Sequence, residues 1–196
     1  MKTADKITTV RIVLAPVFCF VYLMPAWAGS AWTVPVLWLI FIVSELTDML
    51  DGMVARKQGQ VSDFGKLFDP FADTLVQLTC FFCFILDGIL PVPLFLLVLY
   101  REFSILFVRN LMLRKGVAMG ARMGGKIKTV TYIAAAAAAL LASSIRRLGF
   151  FPEAGNARIF SAVSMAATAI FALSVVLALF SFVDYVRVFR KSSPQA

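Results

Sequence analysis

Apolar residues fall in six long runs separated by short polar breaks, at 12–27, 32–49, 67–86, 92–113, 130–145 and 159–188. A helix needs roughly 20 such residues to cross a hydrocarbon core about 30 Å thick, and it satisfies its own backbone hydrogen bonds there. The pattern therefore predicts an all-α integral membrane fold of six transmembrane helices, the last with an interfacial end. No break holds a soluble domain or long linker, so 1–196 reads as one membrane domain. The alanine run at 134–139 fits a close-packed helix face better than a repeat.

Composition agrees. The chain is 61% hydrophobic and 15% charged, well above the roughly half-apolar make-up of soluble domains. Lys2, Lys6 and Arg11 ahead of an apolar run ending in Ala26-Trp27-Ala28 imitate a signal peptide. Removing that segment breaks the charge pattern described next, so it is expected to stay as the first helix.

Basic residues are retained on the cytoplasmic side of short loops. Lys2, Lys6 and Arg11 precede the first run, Arg56, Lys57 and Lys66 separate the second from the third, Arg114, Lys115, Arg122, Lys126 and Lys128 separate the fourth from the fifth, and Arg187, Arg190 and Lys191 follow the sixth. Both termini and these loops are thus expected in the cytoplasm, at the cell membrane. Arg146, Arg147 and Arg158 in the fifth break go against the rule. A net charge of +8 suits an anionic leaflet or a phosphate-bearing substrate, whereas nucleic acid is a poor partner for so apolar a chain. Cys80 and Cys83 have the CxxC spacing, but on an apolar helix without His this reads as packing.

Carboxylates inside membrane helices are costly and are paired, metal-bound or functional. Asp48, Asp51, Gly52 and Ala55 follow i, i+3, i+4, i+7 and share a helical face, with Arg56 next to it. Gly65, Asp69 and Asp73 form a second stripe at i, i+4, i+8, in a helix that Pro70 is expected to distort. If the second and third helices make an antiparallel hairpin, the stripes face each other. Four converging carboxylates need cations, and all-oxygen ligands in a chain without His suit Mg²⁺, Mn²⁺ or Ca²⁺. A two-metal phosphoryl-transfer centre fits best. The bland alternative is that these acids only neutralise Arg56, Lys57 and Lys66 at the membrane surface.

The string Asp48-x-x-Asp51-Gly52-x-x-Ala55-Arg56, then Gly65-x-x-x-Asp69-x-x-x-Asp73, resembles the full signature of the CDP-alcohol phosphotransferase family. The resemblance implies a homodimeric membrane enzyme that moves a phospho-alcohol or phosphatidyl group from a CDP-linked donor to a hydroxyl acceptor and releases CMP. It makes Asp48, Asp51, Asp69 and Asp73 the ligands of Mg²⁺ or Mn²⁺, with Asp73 also the catalytic general base. Gly52, Ala55, Arg56 and Gly65 line the CDP site together with Asp48, Asp51 and Asp69.

The segments Phe64 to Asp73, Arg101-Glu102-Phe103 through Arg109, Gly125-Lys126-Ile127-Lys128-Thr129 and Phe182-Val183-Asp184-Tyr185 are similar to the glycerol phosphate branch of that family. This implies CDP-diacylglycerol as donor and glycerol 3-phosphate as acceptor, with Arg101, Arg109, Lys126 and Lys128 on the acceptor phosphate. Arg101 and Arg109 lie about 12 Å apart along a helix and roughly 80° around it, so both can border one cavity. Thr74 stands where the branch usually has Lys, Phe68 where it has Leu, and of the N-terminal lead-in only the T-x-x-R of Thr8 and Arg11 remains. The rival readings are a choline or ethanolamine phosphotransferase with diacylglycerol as acceptor, and a divalent-cation transporter.

Overall fold

The computed structural model describes residues 3–24, 31–58, 63–114, 123–149 and 152–192, and within them the side chains of 3–7, 49–58, 63–64, 66–67, 114, 123–126, 188 and 190–192 lie outside the description. The described residues form six helices and no strand: α1 (Thr3–Leu23), α2 (Thr33–Gln58), α3 (Asp63–Leu86), α4 (Val92–Arg114), α5 (Met123–Leu148) and α6 (Glu153–Ser192). Each corresponds to one apolar run, but most extend beyond it. Hydropathy stops where charges begin, whereas Lys, Arg and Glu are good helix formers and let the backbone ladder continue past the lipid boundary. The most consequential extension is that of α1, which begins at Thr3 rather than at residue 12 and so carries Thr8 and Arg11. Helix α3 is continuous on both sides of Pro70, which removes one backbone donor from its ladder.

The burial pattern suits lipid. Large apolar side chains such as Val13, Phe20, Leu39, Phe107 and Phe180 point outward, while Thr8, Arg11, Ser44, Arg101, Glu102, Lys128 and Ser174 are buried. Within the described residues, Phe68–Leu86, Ile127–Leu148 and Glu153–Arg187 are long and apolar enough to cross a membrane. Helix α5 lies along α6, with Ala135, Ala136, Ala139 and Ala142 in the same core as Ala167, Phe171, Val175 and Ala178. Small residues let the two backbones approach, as the alanine run led us to expect. Phe81 of α3 ties this pair to the rest, with its ring 5.4 Å from Tyr132 of α5 and 4.6 Å from Phe171 of α6. Cys80 and Cys83 are free thiols buried beside it, which agrees with a packing role.

Helix α1 packs against both α2 and α3. Among the described residues Asp48 of α2 and Asp73 of α3 are therefore joined through α1, and the remaining side chains of the α2 stripe lie outside the description. A polar side chain is needed on α1 wherever those carboxylates point inward, because lipid offers no water to satisfy them.

At the other end of the bundle a second polar cluster accounts for two of the three arginines that defied the charge rule. Helix α3 ends in a Schellman turn: Gly88 N–H donates to Ile85 O at 2.8 Å and Ile89 N–H to Phe84 O at 2.9 Å, with Gly88 at φ 70°. That turn holds Asp87 where Tyr22 Oη donates to its Oδ2 at 2.5 Å and Ser143 Oγ at 3.1 Å. Arg146 meets the same oxygen at 2.5 Å, and Arg147 lies 3.8 Å from it. Arg147 also donates to Ser143 Oγ, Thr33 Oγ1 and Tyr22 O, and stacks 4.2 Å above the Tyr22 ring. The two cations are thus partly neutralised by a carboxylate of the fold.

Candidate active site

Opposite that cluster, about 21 Å away along α3 at 1.5 Å per residue from Asp87 to Asp73, a cavity of about 300 Å³ opens between the helices. Asp48, Asp69 and Asp73 form one wall, and Arg101, Glu102, Arg109, Lys128 and Tyr185 the other. Three of the four signature acids thus share one space. Asp51, Gly52, Ala55 and Arg56 belong to α2, but their side chains lie outside the described residues, as does that of Lys126 on α5. Gly65 is buried near the start of α3.

Helix α1 supplies the donors behind the acidic wall. Thr8 Oγ1 donates to Asp69 Oδ1 at 2.7 Å. Arg11 is 2% exposed and its guanidinium spans two helices, with Nη1 2.7 Å from Asp48 Oδ1 and Nη2 3.3 Å from Asp73 Oδ1. Gln77, one turn after Asp73, donates to the same Oδ1 at 3.2 Å. Thr8 and Arg11 share a face because they are three residues apart on one helix.

The donor set is carboxylate and hydroxyl oxygen with neither His nor thiolate, which suits a hard divalent cation. Arg11 already bridges Asp48 and Asp73 from behind, through one oxygen of each. Among the described residues no three acidic, His or Cys side chains close a metal cage by themselves, and Asp51 is the remaining signature acid. Asp48, Asp69 and Asp73 supply carboxylate oxygens of the kind that Mg²⁺ or Mn²⁺ takes, and the side chain of Asp51 lies outside the described residues.

The basic wall is more structured than four separate cations. Glu102 Oε1 accepts from Arg101 Nη1 at 2.7 Å and from Lys128 Nζ at 2.8 Å, and all three side chains are buried. Arg101 also donates to Ala178 O at 3.2 Å and approaches Ser181 Oγ at 3.5 Å, while Lys128 sits 4.7 Å above the Tyr132 ring. Arg109 Nη2 donates to Tyr185 Oη at 3.0 Å, with the guanidinium 5.7 Å from that ring, and its Nε is buried with no partner among the described residues. Two positive charges on Arg101 and Lys128 therefore share one negative charge on Glu102, and Arg109 adds a third cation nearby.

A model of the CDP-alcohol phosphatidyltransferase family matches residues 1–180. The chain belongs to this family. A CDP-diacylglycerol--glycerol-3-phosphate 3-phosphatidyltransferase of Treponema pallidum (strain Nichols) is 36% identical over 96% of this chain and 89% of its own length. A protein of the same name from Bacillus subtilis (strain 168) is 34% identical over 76% of this chain and 82% of its own. A probable phosphatidylglycerophosphate synthase of Mycobacterium tuberculosis (strain CDC 1551 / Oshkosh) is 32% identical over 93% and 79%. Like other CDP-alcohol phosphatidyltransferases, the chain is a multi-pass membrane protein, and the family as a whole depends on divalent metal.

Several residues of this CDP-alcohol phosphatidyltransferase site had no role in the sequence reading. Thr8 and Arg11 were visible as a T-x-x-R spacing, Glu102 as the middle of Arg101-Glu102-Phe103, and Tyr185 as the end of Phe182 to Tyr185. The signal was a polar residue near the end of an apolar run for Thr8, Arg11 and Tyr185, and a carboxylate in the middle of one for Glu102. What each one touches depends on helices far away in sequence.

Proposed function

We propose that this chain transfers the phosphatidyl group of CDP-diacylglycerol to the 1-hydroxyl of glycerol 3-phosphate, yielding phosphatidylglycerol phosphate and CMP for phospholipid synthesis. The observation that carries this reading is the two-sided cavity: carboxylates suited to a cation-bound diphosphate on one wall, and Arg101, Arg109 and Lys128 on the other. A phosphomonoester acceptor brings nearly two negative charges, and only a site with surplus positive charge receives it well. With Arg101, Lys128 and Glu102 summing to +1 and Arg109 adding +1, the basic wall carries the matching +2.

In this reading Asp48, Asp51, Asp69 and Asp73 hold Mg²⁺ or Mn²⁺, which when bound neutralises the diphosphate and stabilises CMP as it leaves. Asp73 accepts the proton of the acceptor hydroxyl, whose oxygen bonds to the phosphatidyl phosphorus as the bond from that phosphorus to the CMP oxygen breaks. Arg101, Arg109, Lys126 and Lys128 hold the acceptor phosphate so that its hydroxyl, not water, occupies the attacking position. Gly52, Ala55, Arg56 and Gly65 receive the CDP moiety. The acyl chains stay in lipid beside the helices, so the cavity opens toward the bilayer.

The site faces the cytoplasm in this proposal. The support is the basic loops at that end, together with the Asp87 cluster that offsets Arg146 and Arg147 at the other. The family resemblance adds the expectation of a homodimer, which chemical cross-linking in native membranes tests.

The deciding experiment incubates purified protein with Mg²⁺ or Mn²⁺, CDP-diacylglycerol and a panel of acceptors, then measures CMP and identifies the lipid. Phosphatidylglycerol phosphate is the expected product. Turnover only with CDP-choline and diacylglycerol, or metal flux in liposomes without CMP release, defeats the proposal.

A further inference from the structure

We infer that Thr8, Arg11 and Gln77 are positioning residues that take the Oδ1 atoms of the three acids and leave their Oδ2 atoms for the cavity. Among the described residues the four hydrogen bonds to these carboxylates fall on one oxygen of each acid, Oδ1: Thr8 on Asp69, Arg11 on Asp48 and Asp73, and Gln77 on Asp73. The acids line the cavity, whereas the three donors stand outside its lining. The exposures point the same way, since the Arg11 side chain is 3% exposed against 44% for Asp48 and 33% for Asp73. One oxygen of each acid thus faces a fixed donor, and each acid also borders the cavity.

The physical consequence is selection of a rotamer. A free Asp side chain spins about its terminal torsion, which is broad and roughly two-fold. A donor fixed on a neighbouring helix removes that freedom, so a cation entering the cavity meets oxygens already aimed at it. Outer partners of metal ligands typically contribute 10–100-fold to metal affinity or activity. Arg11 does this for two helices at once because its planar fork presents separate N–H groups to Asp48 and Asp73, which a single Lys ammonium on a shorter reach does not reproduce.

A competing role for Arg11 is that of an internal cation that metal displaces. The two roles predict opposite signs. Displacement means that losing the guanidinium tightens metal binding, whereas positioning means that losing it weakens binding. The buried location behind the carboxylates, outside the cavity lining, favours positioning.

This inference rests on the metal-ligand roles proposed above for Asp48, Asp69 and Asp73, and its test reads metal directly. Free Mn²⁺ is titrated by electron paramagnetic resonance against the full-length protein in detergent, using wild type, Arg11→Gln, Arg11→Lys and Thr8→Val, with circular dichroism to normalise for folded protein. Both Arg11 variants are expected to weaken Mn²⁺ binding about 10–100-fold, and Thr8→Val several-fold. At saturating Mn²⁺ the KM for glycerol 3-phosphate stays within about threefold of wild type, since no phosphate-binding group has changed. Equal or tighter Mn²⁺ binding in Arg11→Gln overturns the inference, and so does full wild-type affinity in Arg11→Lys, which would reduce the role to charge. If the Arg11 variants do not fold, Thr8→Val decides alone, and unchanged affinity in it overturns the inference. A wild type that binds Mn²⁺ with these shifts but forms no CMP from CDP-diacylglycerol sinks the proposed function and leaves the positioning role standing.

Discussion

Glu102→Gln is the most informative single change on the basic wall. In the wild type, Oε1 of Glu102 faces Arg101 Nη1 at 2.7 Å and Lys128 Nζ at 2.8 Å, and the three side chains are only 4–8% exposed. Gln keeps the shape but removes the negative charge, so two buried cations lose their shared counter-ion. Removing one partner of a buried ion pair costs about 3–5 kcal/mol because the other charge stays uncompensated. For a chain of this size about 3–5 kcal/mol corresponds to a fall of roughly 6–20 °C in Tm. Thermal unfolding in detergent measures it. A second arm adds glycerol 3-phosphate: its phosphate supplies the negative charge that Gln lacks, so at equal concentration it raises the Tm of the variant by more than that of the wild type. The reasoning fails if the variant melts within about 1 °C of wild type, the equivalent of well under 1 kcal/mol. It also fails if glycerol 3-phosphate stabilises both proteins equally.

Three further outcomes follow from the same geometry. Asp87→Asn leaves Arg146 and Arg147 without their carboxylate and is expected to cost about 2–3 kcal/mol, discounted because Arg146 is 41% exposed; CMP release at low temperature stays within about twofold, as the cluster lies about 21 Å from Asp73 along the helix. Arg109→Ala is expected to raise the KM for glycerol 3-phosphate at least about tenfold, the loss of one charged hydrogen bond, while the KM for CDP-diacylglycerol moves little. Chelation with EDTA stops CMP release and added Mg²⁺ or Mn²⁺ restores it, followed by the same CMP assay.

The six helices were legible because lipid imposes one requirement on every span, an apolar length that closes its own hydrogen bonds. The acidic stripes were equally legible, since i, i+3, i+4 spacing fixes a helical face without reference to the rest of the fold. Helix ends were not, because hydropathy marks the lipid boundary and helical hydrogen bonding runs past it. That difference hid Thr8 and Arg11, which lie before the first apolar run and yet sit on α1.

The amino-acid sequence by itself determined the six helices of the described residues, which helical positions carry carboxylates and where the cations cluster along the chain, since each depends only on local spacing and on transfer between water and lipid. Tertiary structure alone decided which of these groups meet. It set α1 against both α2 and α3, so that Arg11 joins Asp48 to Asp73, and it set Glu102 between Arg101 and Lys128. It also turned Arg146 and Arg147 from exceptions to a charge rule into partners of Asp87. The reason is the same in each case: a buried charge needs a partner, and in a helical bundle that partner comes from another helix, at a distance in sequence that no local pattern encodes.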